Sequence, residues 1–321
     1  MQHSPTRNIL VGALVALAVL LASLNLIACV VGVWVASEVG GALSREVISG
    51  PGVGVLRIEG IILSGRPLSA RQEGVVYSER MTEILKEVKT NDDIKALVLR
   101  VDSPGGSVVG SNEIYEALLQ VDKPIVVSMG EMAASGGYYI SCAADRIMVN
   151  PGTLTGSIGV IAQMPNVQGL MEKIGVEVNT IKSGKFKDEG SPFRPMTEEE
   201  KAIWQSIIDE AYGQFVTIVA TGRNLPEDKV RQLADGRVYT GLQAIELGLA
   251  DETGNLPDAI KLAGEMGGIK GEPKTIELYK PPSFLESLLM SMPGSQPSLA
   301  DLKETVGLND YPVLQYLYVG P

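Results

Sequence analysis

Ile94–Ser107, IKALVLRVDSPGGS, sets the pattern for most of the chain. Ile94–Val101 is a short run of branched and aliphatic residues, the composition of a buried strand. Asp102–Ser107 then places a proline and two consecutive glycines where such a strand has to turn, and Asn112–Leu119 carries apolar residues at helical spacing. The same alternation recurs on both sides. Val53–Ile58 and Ile125–Met129 read as strands, and Ser78–Lys89 reads as a helix. Short apolar strands alternating with helices predict an α/β domain.

Further along, Met196–Glu200 opens a long helix. Thr197 is its expected N-cap and Glu200, three residues on, completes a capping box. Ile203, Ile207, Ala211, Phe215 and Ile218 mark the expected buried face. A further helix is expected from Glu227 to about Leu233, and the core is expected to end near Gly268. The domain is bounded at 53–270, with 271–321 as a partly ordered C-terminal tail bearing an apolar patch at Phe284–Met292.

Before the domain, Ile9–Ala36 contains no charged residue. As a helix it would run about 42 Å, more than the ~30 Å of bilayer hydrocarbon, which predicts a tilted transmembrane anchor. Arg7 favours a cytoplasmic N-terminus over residues 1–8, and Trp34 suits the opposite interface. The apolar core of a cleaved secretory signal is about 7–15 residues, shorter than this run. Leu26–Cys29 also has the look of a lipoprotein cleavage site, which would make Cys29 a lipidated terminus, but the apolar run continues beyond it. Residues 37–52 read as a linker. The expected location is therefore the cytoplasmic membrane of a bacterium, with the domain on the extracytoplasmic side.

Composition removes several function classes. Lys and Arg number 27 against 38 Asp and Glu, for a net charge of -11, so a nucleic-acid footprint is not expected. Two cysteines, Cys29 and Cys142, and a single histidine, His3, provide neither a disulfide scaffold nor the usual zinc ligand set. With His3 ahead of the apolar run, a Ser-His or Cys-His unit is not available either.

Three glycine-rich segments carry the remaining chemistry: Asp102–Ser107 (DSPGGS), Met132–Tyr138 (MAASGGY) and Thr153–Val160 (TLTGSIGV). Glycine after a strand lets backbone N–H groups approach a ligand, and a helix start favours negative charge there. A phosphate would satisfy such loops, but no P-loop lysine and no dinucleotide fingerprint accompanies them. A tetrahedral oxyanion would satisfy them as well. Ser135 is the candidate nucleophile because small residues flank it at a helix start. Its base would have to be a lysine with a lowered pKa, and Lys182, Lys185 and Lys187 are close together in Ile181–Asp188 (IKSGKFKD). The ordinary alternatives are tight structural turns for the glycines and a solvated basic turn for the lysines.

DSPGGS, MAASGGY, Gly156–Val160 (GSIGV) and Ser183–Asp188 (SGKFKD), in this order and spacing, resemble the short form of the signal peptide peptidase A family. These are membrane-anchored serine–lysine peptidases with a Clp-protease/crotonase-like fold. The resemblance implies that fold, with Ser135 as nucleophile and Lys187 as general base. It further implies Gly106 and Gly136 as oxyanion-hole donors and Ser157 as the serine that aims the lysine, with Lys182 and Lys185 as bystanders. Asp188 is expected to point away from Lys187, because a facing carboxylate would hold the lysine charged. Implied too are remnant signal peptides and other apolar peptides as substrates, no cofactor or metal, and a homo-oligomeric ring such as an octamer, whose sites can be completed between neighbours. Three readings compete: an acyl-CoA enzyme of the crotonase type, a Ser–Lys peptidase devoted to one membrane-protein partner, and a non-catalytic assembly protein on the same fold.

Overall fold

The computed structural model describes residues 50–66, 74–279 and 315–317. The expected anchor over residues 9–36, its flanks and the patch Phe284–Met292 lie outside these residues. Among the described residues no helix is long and apolar enough to cross a membrane.

The elements in chain order are β1 (Gly52–Glu59), β2 (Ile61–Leu63), β3 (Val75–Tyr77), α1 (Ser78–Thr90), β4 (Ile94–Ser103), β5 (Gly105–Ser107) and α2 (Val108–Leu119). There follow β6 (Ile125–Ala134), α3 (Gly136–Ser141), β7 (Arg146–Val149), β8 (Leu154–Gly156), α4 (Gln168–Ile174), α5 (Glu198–Arg223) and α6 (Glu227–Leu233). The last are β9 (Val238–Thr240), α7 (Gly241–Leu247), β10 (Glu252–Thr253), α8 (Leu256–Met266), β11 (Lys274–Glu277) and β12 (Gln315–Leu317). The α/β alternation expected from Ile94–Ser107 is thus present.

The main sheet runs β10-β7-β6-β4-β1-β11, parallel throughout this path. Successive side chains of a strand face opposite ways, and here both faces are covered. Leu56, Ile58, Leu97, Leu99 and Val101 enter the larger core with α1 and α2, whereas Val53, Val55, Ala96 and Val98 pack against Ala259 and Ala263 of α8. Burial on both faces is why β1 and β4 read as nearly continuous apolar runs.

β6 changes partners along its length. Val126–Ser128 pairs with β7, whereas Met132–Ala134 pairs with β8, whose other edge takes β9 antiparallel. The register against β4 shifts between Val101 and Ser103, and the Asp102 carboxylate receives the Met132 N–H at 3.1 Å. The glycine-rich ends of β4 and β6 thereby stay together, Ser103 paired with Ala133, where β6 leaves β7 for β8. A smaller sheet, β12-β5-β2-β3, forms beside them.

α5 starts where expected, with Thr197 and Glu200 forming both halves of the capping box. Its buried face is shorter than the apolar spacing implies. Ala211, Phe215, Val216 and Val219 are buried, but Ile203 and Ile207 are 36% and 37% exposed. A 26-residue helix is about 39 Å long, and the described core meets only its C-terminal part. The region expected to be tail contributes β11 to the edge of the main sheet and β12 to the smaller one.

Candidate active site

Ser135 sits at the junction of β6 and α3 with φ 54° and ψ -116°, a conformation L-residues rarely adopt. Two backbone hydrogen bonds brace the junction. Ser135 N–H donates to the Gly156 carbonyl at 2.8 Å, and the Ser135 carbonyl accepts from Tyr139 N–H at 2.8 Å. A strained backbone at a strand-to-helix turn is a recurrent way of presenting a nucleophile. Ser135 is 1% exposed as a residue and lines a cavity of about 500 Å³.

The DSPGGS turn abuts this junction. The Ser103 hydroxyl donates to the Gly60 carbonyl at 2.6 Å and accepts from Gly105 N–H at 3.1 Å. Gly105 and Gly106 have φ +96° and +157°. A Cβ at Gly136 would lie 3.1 Å from the Gly106 nitrogen and 2.5 Å from the Ser111 hydroxyl. A Cβ at Gly106 would come within 2.0 Å of the Ile62 carbonyl. Only glycine fits at Gly106, where the clash is with backbone, and at Gly136 a side chain would crowd Ser111 and the Gly105–Gly106 backbone, so the two glycines meet beside Ser135. The third segment closes the group. Ser157, with φ 50° and 7% exposure, lines the same cavity, its N–H held by the Arg237 carbonyl at 2.9 Å.

Two of the three glycine-rich segments thus line one cavity, through Ser135 and Ser157, with the DSPGGS turn packed behind Ser135, but the lysine segment is not among its lining residues. Lys187 is exposed, and among the described residues its ammonium has no hydrogen bond or ion pair. Its neighbours do. Lys182 is ion-paired with Asp188 at 2.6 Å, and Lys185 with Glu199. The Asp188 carboxylate also receives Arg194, so it is turned to those two cations and not to Lys187. Arg194, then Lys182, hold the Asp188 carboxyl well below the usual range.

Two contributions to the cavity have no sequence signal. Gln205 and Asp209 line it from the exposed part of α5, and Tyr212 from where the helix enters the core. Leu317 of β12 lines it as well, because Tyr316 pairs with Gly106 and anchors the strand. The Tyr316 ring is fully buried, stacked on Tyr139 at 5.0 Å, with its hydroxyl on the Ala211 carbonyl at 2.9 Å. Among the described residues no cluster of three or more His, Cys, Asp or Glu could hold a metal ion.

Comparison with known proteins adds independent information. Residues 117–270 match the model of peptidase family S49. A protein of Synechocystis named "Putative protease slr0021" is 44% identical over 244 residues, spanning 74% of this chain and 86% of its own. One of Enterococcus faecium, named "Putative signal peptide peptidase SppA", is 35% identical over 87% of this chain and 83% of its own. "Protease 4" of Haemophilus influenzae is 36% identical, but the match spans only 34% of its length.

Proposed function

The chain belongs to peptidase family S49, and from that premise we propose that it is a membrane-anchored serine endopeptidase working through a Ser135–Lys187 dyad. In this reading the domain has the Clp-protease/crotonase-like fold and faces the extracytoplasmic side of a bacterial cytoplasmic membrane, tethered by residues 9–36. It removes remnant signal peptides once these have been released from secreted preproteins. The observation that carries the proposal is the junction at Ser135: a buried serine with a positive φ, packed against the Gly105–Gly106 turn.

The chemistry follows from that junction. A neutral Lys187 amine accepts the Ser135 Oγ proton as the hydroxyl attacks the scissile carbonyl. The Gly106 and Gly136 N–H groups receive the developing oxyanion, where loss of one such donor costs ~2.7–4 kcal/mol in other hydrolases. The lysine ammonium then protonates the departing amine. A water deprotonated by the same lysine releases the acyl group, and Ser157 aims the lysine throughout. No metal or cofactor is needed for these steps.

Lys187 is exposed and is not among the residues lining the cavity of its own chain, which supports a dyad completed by a neighbouring copy in a homo-oligomeric ring. The same segment exposes apolar side chains suited to a subunit contact, with Ile181 fully exposed and Phe186 and Phe193 at 39% and 41%. The test is cleavage of a synthetic signal peptide by the full chain in detergent, followed by mass spectrometry. Ser135→Ala and Lys187→Ala are expected to be silent and Lys185→Ala active. Full activity in Lys187→Ala would place the base elsewhere.

A further inference from the structure

Lys187 is followed directly by a carboxylate, and a free carboxylate beside a lysine stabilises its charged form. The groups around Asp188 are all accounted for. Lys182 from the same turn donates to Oδ1 at 2.6 Å and to the Lys185 carbonyl at 3.1 Å. Arg194 donates Nε to Oδ2 at 2.9 Å and Nη2 to Oδ1 at 2.7 Å, a two-pronged grip that lysine could not reproduce. Its Nη2 also reaches the Asp188 carbonyl at 3.1 Å. The other side of the guanidinium holds both oxygens of Glu200, which is 2% exposed and caps α5 through Thr197. Lys185 is held by Glu199. Glu189, the next carboxylate, has one buried oxygen without a hydrogen-bond partner.

We propose that Arg194 is a positioning residue for the base: it ties the Lys187 turn to the rigid start of α5 and keeps the Asp188 carboxylate from pairing with Lys187. The proposal rests on the reading of Lys187 as general base. Two carboxylates, Asp188 and Glu200, face two cations, Lys182 and Arg194, so the cluster is neutral. Removing the Arg194 charge leaves one negative charge in excess, one residue from Lys187. The base would then be protonated over a wider range of pH, and the acid limb of the rate profile would move to higher pH.

The experiment is the pH dependence of kcat/KM for a fluorogenic apolar peptide from pH 6 to 10, using the full chain in detergent. Arg194→Gln is expected to shift the acid limb upward by about one pH unit and to lower kcat about tenfold on that limb, with KM little changed. Adding Asp188→Asn is expected to return the limb to its original position, and Asp188→Asn alone, which leaves one positive charge in excess, to move it to lower pH. An Arg194→Gln loss that the second substitution does not rescue, or a profile identical to wild type, overturns the proposal. Should Arg194→Gln fail to assemble, Arg194→Met, which also removes the charge, decides by the same limb: an upward shift supports the role and an unchanged limb overturns it. Lys187→Ala in the same series separates the two claims, since retained activity there defeats the assignment of the base whatever Arg194 does.

Discussion

Ser135 combines two properties that a single substitution can pull apart, its hydroxyl and its positive φ. Ser135→Ala and Ser135→Gly both remove the hydroxyl and should both lower peptide cleavage by about four orders of magnitude or more. They should differ in stability. Alanine keeps the Cβ that makes φ 54° unfavourable, and glycine does not, so the glycine variant should be the more stable by roughly 1 kcal/mol in denaturant unfolding. Equal stability would mean that the surrounding bonds to Gly156 and Tyr139 impose no strain on the turn. Gly106→Ala tests the opposite case, because its Cβ would meet the Ile62 backbone at 2.0 Å and not a movable side chain. Lower thermal stability together with an activity loss of about a hundredfold is expected, as the donor is displaced with the strand. The glycine-rich segments around Ser135 were legible in the sequence because glycines and small residues after a strand answer to local backbone demands, whereas the roles of Gly106, Gly136 and Ser157 came only from the family resemblance. Arg194 was not legible, since an arginine six residues from each of its two partners has no distinctive spacing.

The capping box at the start of α5 shows what is local enough to read and what is not. Thr197 and Glu200 are three residues apart and bond each other's backbone, so the pattern is contained in the sequence. The second task of Glu200, receiving Arg194, appears only after folding. Arg194 first, then the Thr197 backbone N–H, hold the Glu200 carboxyl down at about 2 against an ordinary 4.5. A carboxylate whose folded pKa lies below its unfolded value contributes stability that is complete above about pH 4.5 and is lost as pH falls toward 2. Glu200→Gln should therefore melt lower than the parent chain near pH 6, with the gap closing between pH 4.5 and 2. A gap that stays constant over that interval would show that the contribution is steric and not ionic. The same helix explains a misreading. Ile203 and Ile207 fit the apolar spacing, but periodicity does not say where the covering partner ends, and among the described residues of the helix apolar burial begins at Ala211.

At the scale of the whole molecule the division is between a serine cavity that one chain builds and a lysine turn that it leaves exposed. Sequence order placed MAASGGY and SGKFKD about fifty residues apart but could not say whether they meet within one copy or between two. If the dyad forms between neighbours of a homo-oligomeric ring, assemblies of Ser135→Ala alone and of Lys187→Ala alone are each silent for different reasons. Mixing the two before assembly creates some interfaces in which the serine comes from the lysine variant and the lysine from the serine variant. With equal, random mixing such interfaces make up about a quarter of the total, so about a quarter of the parent activity should return. A dyad built within one chain gives no recovery at any mixing ratio, because every subunit lacks one half of its own pair. Co-expression of two differently tagged variants, tandem purification and cleavage of a fluorogenic peptide decide between these outcomes. Recovery that tracks the product of the two variants' fractions, greatest at equal ratio and vanishing toward either pure variant, would identify a shared site and not a minor contaminant.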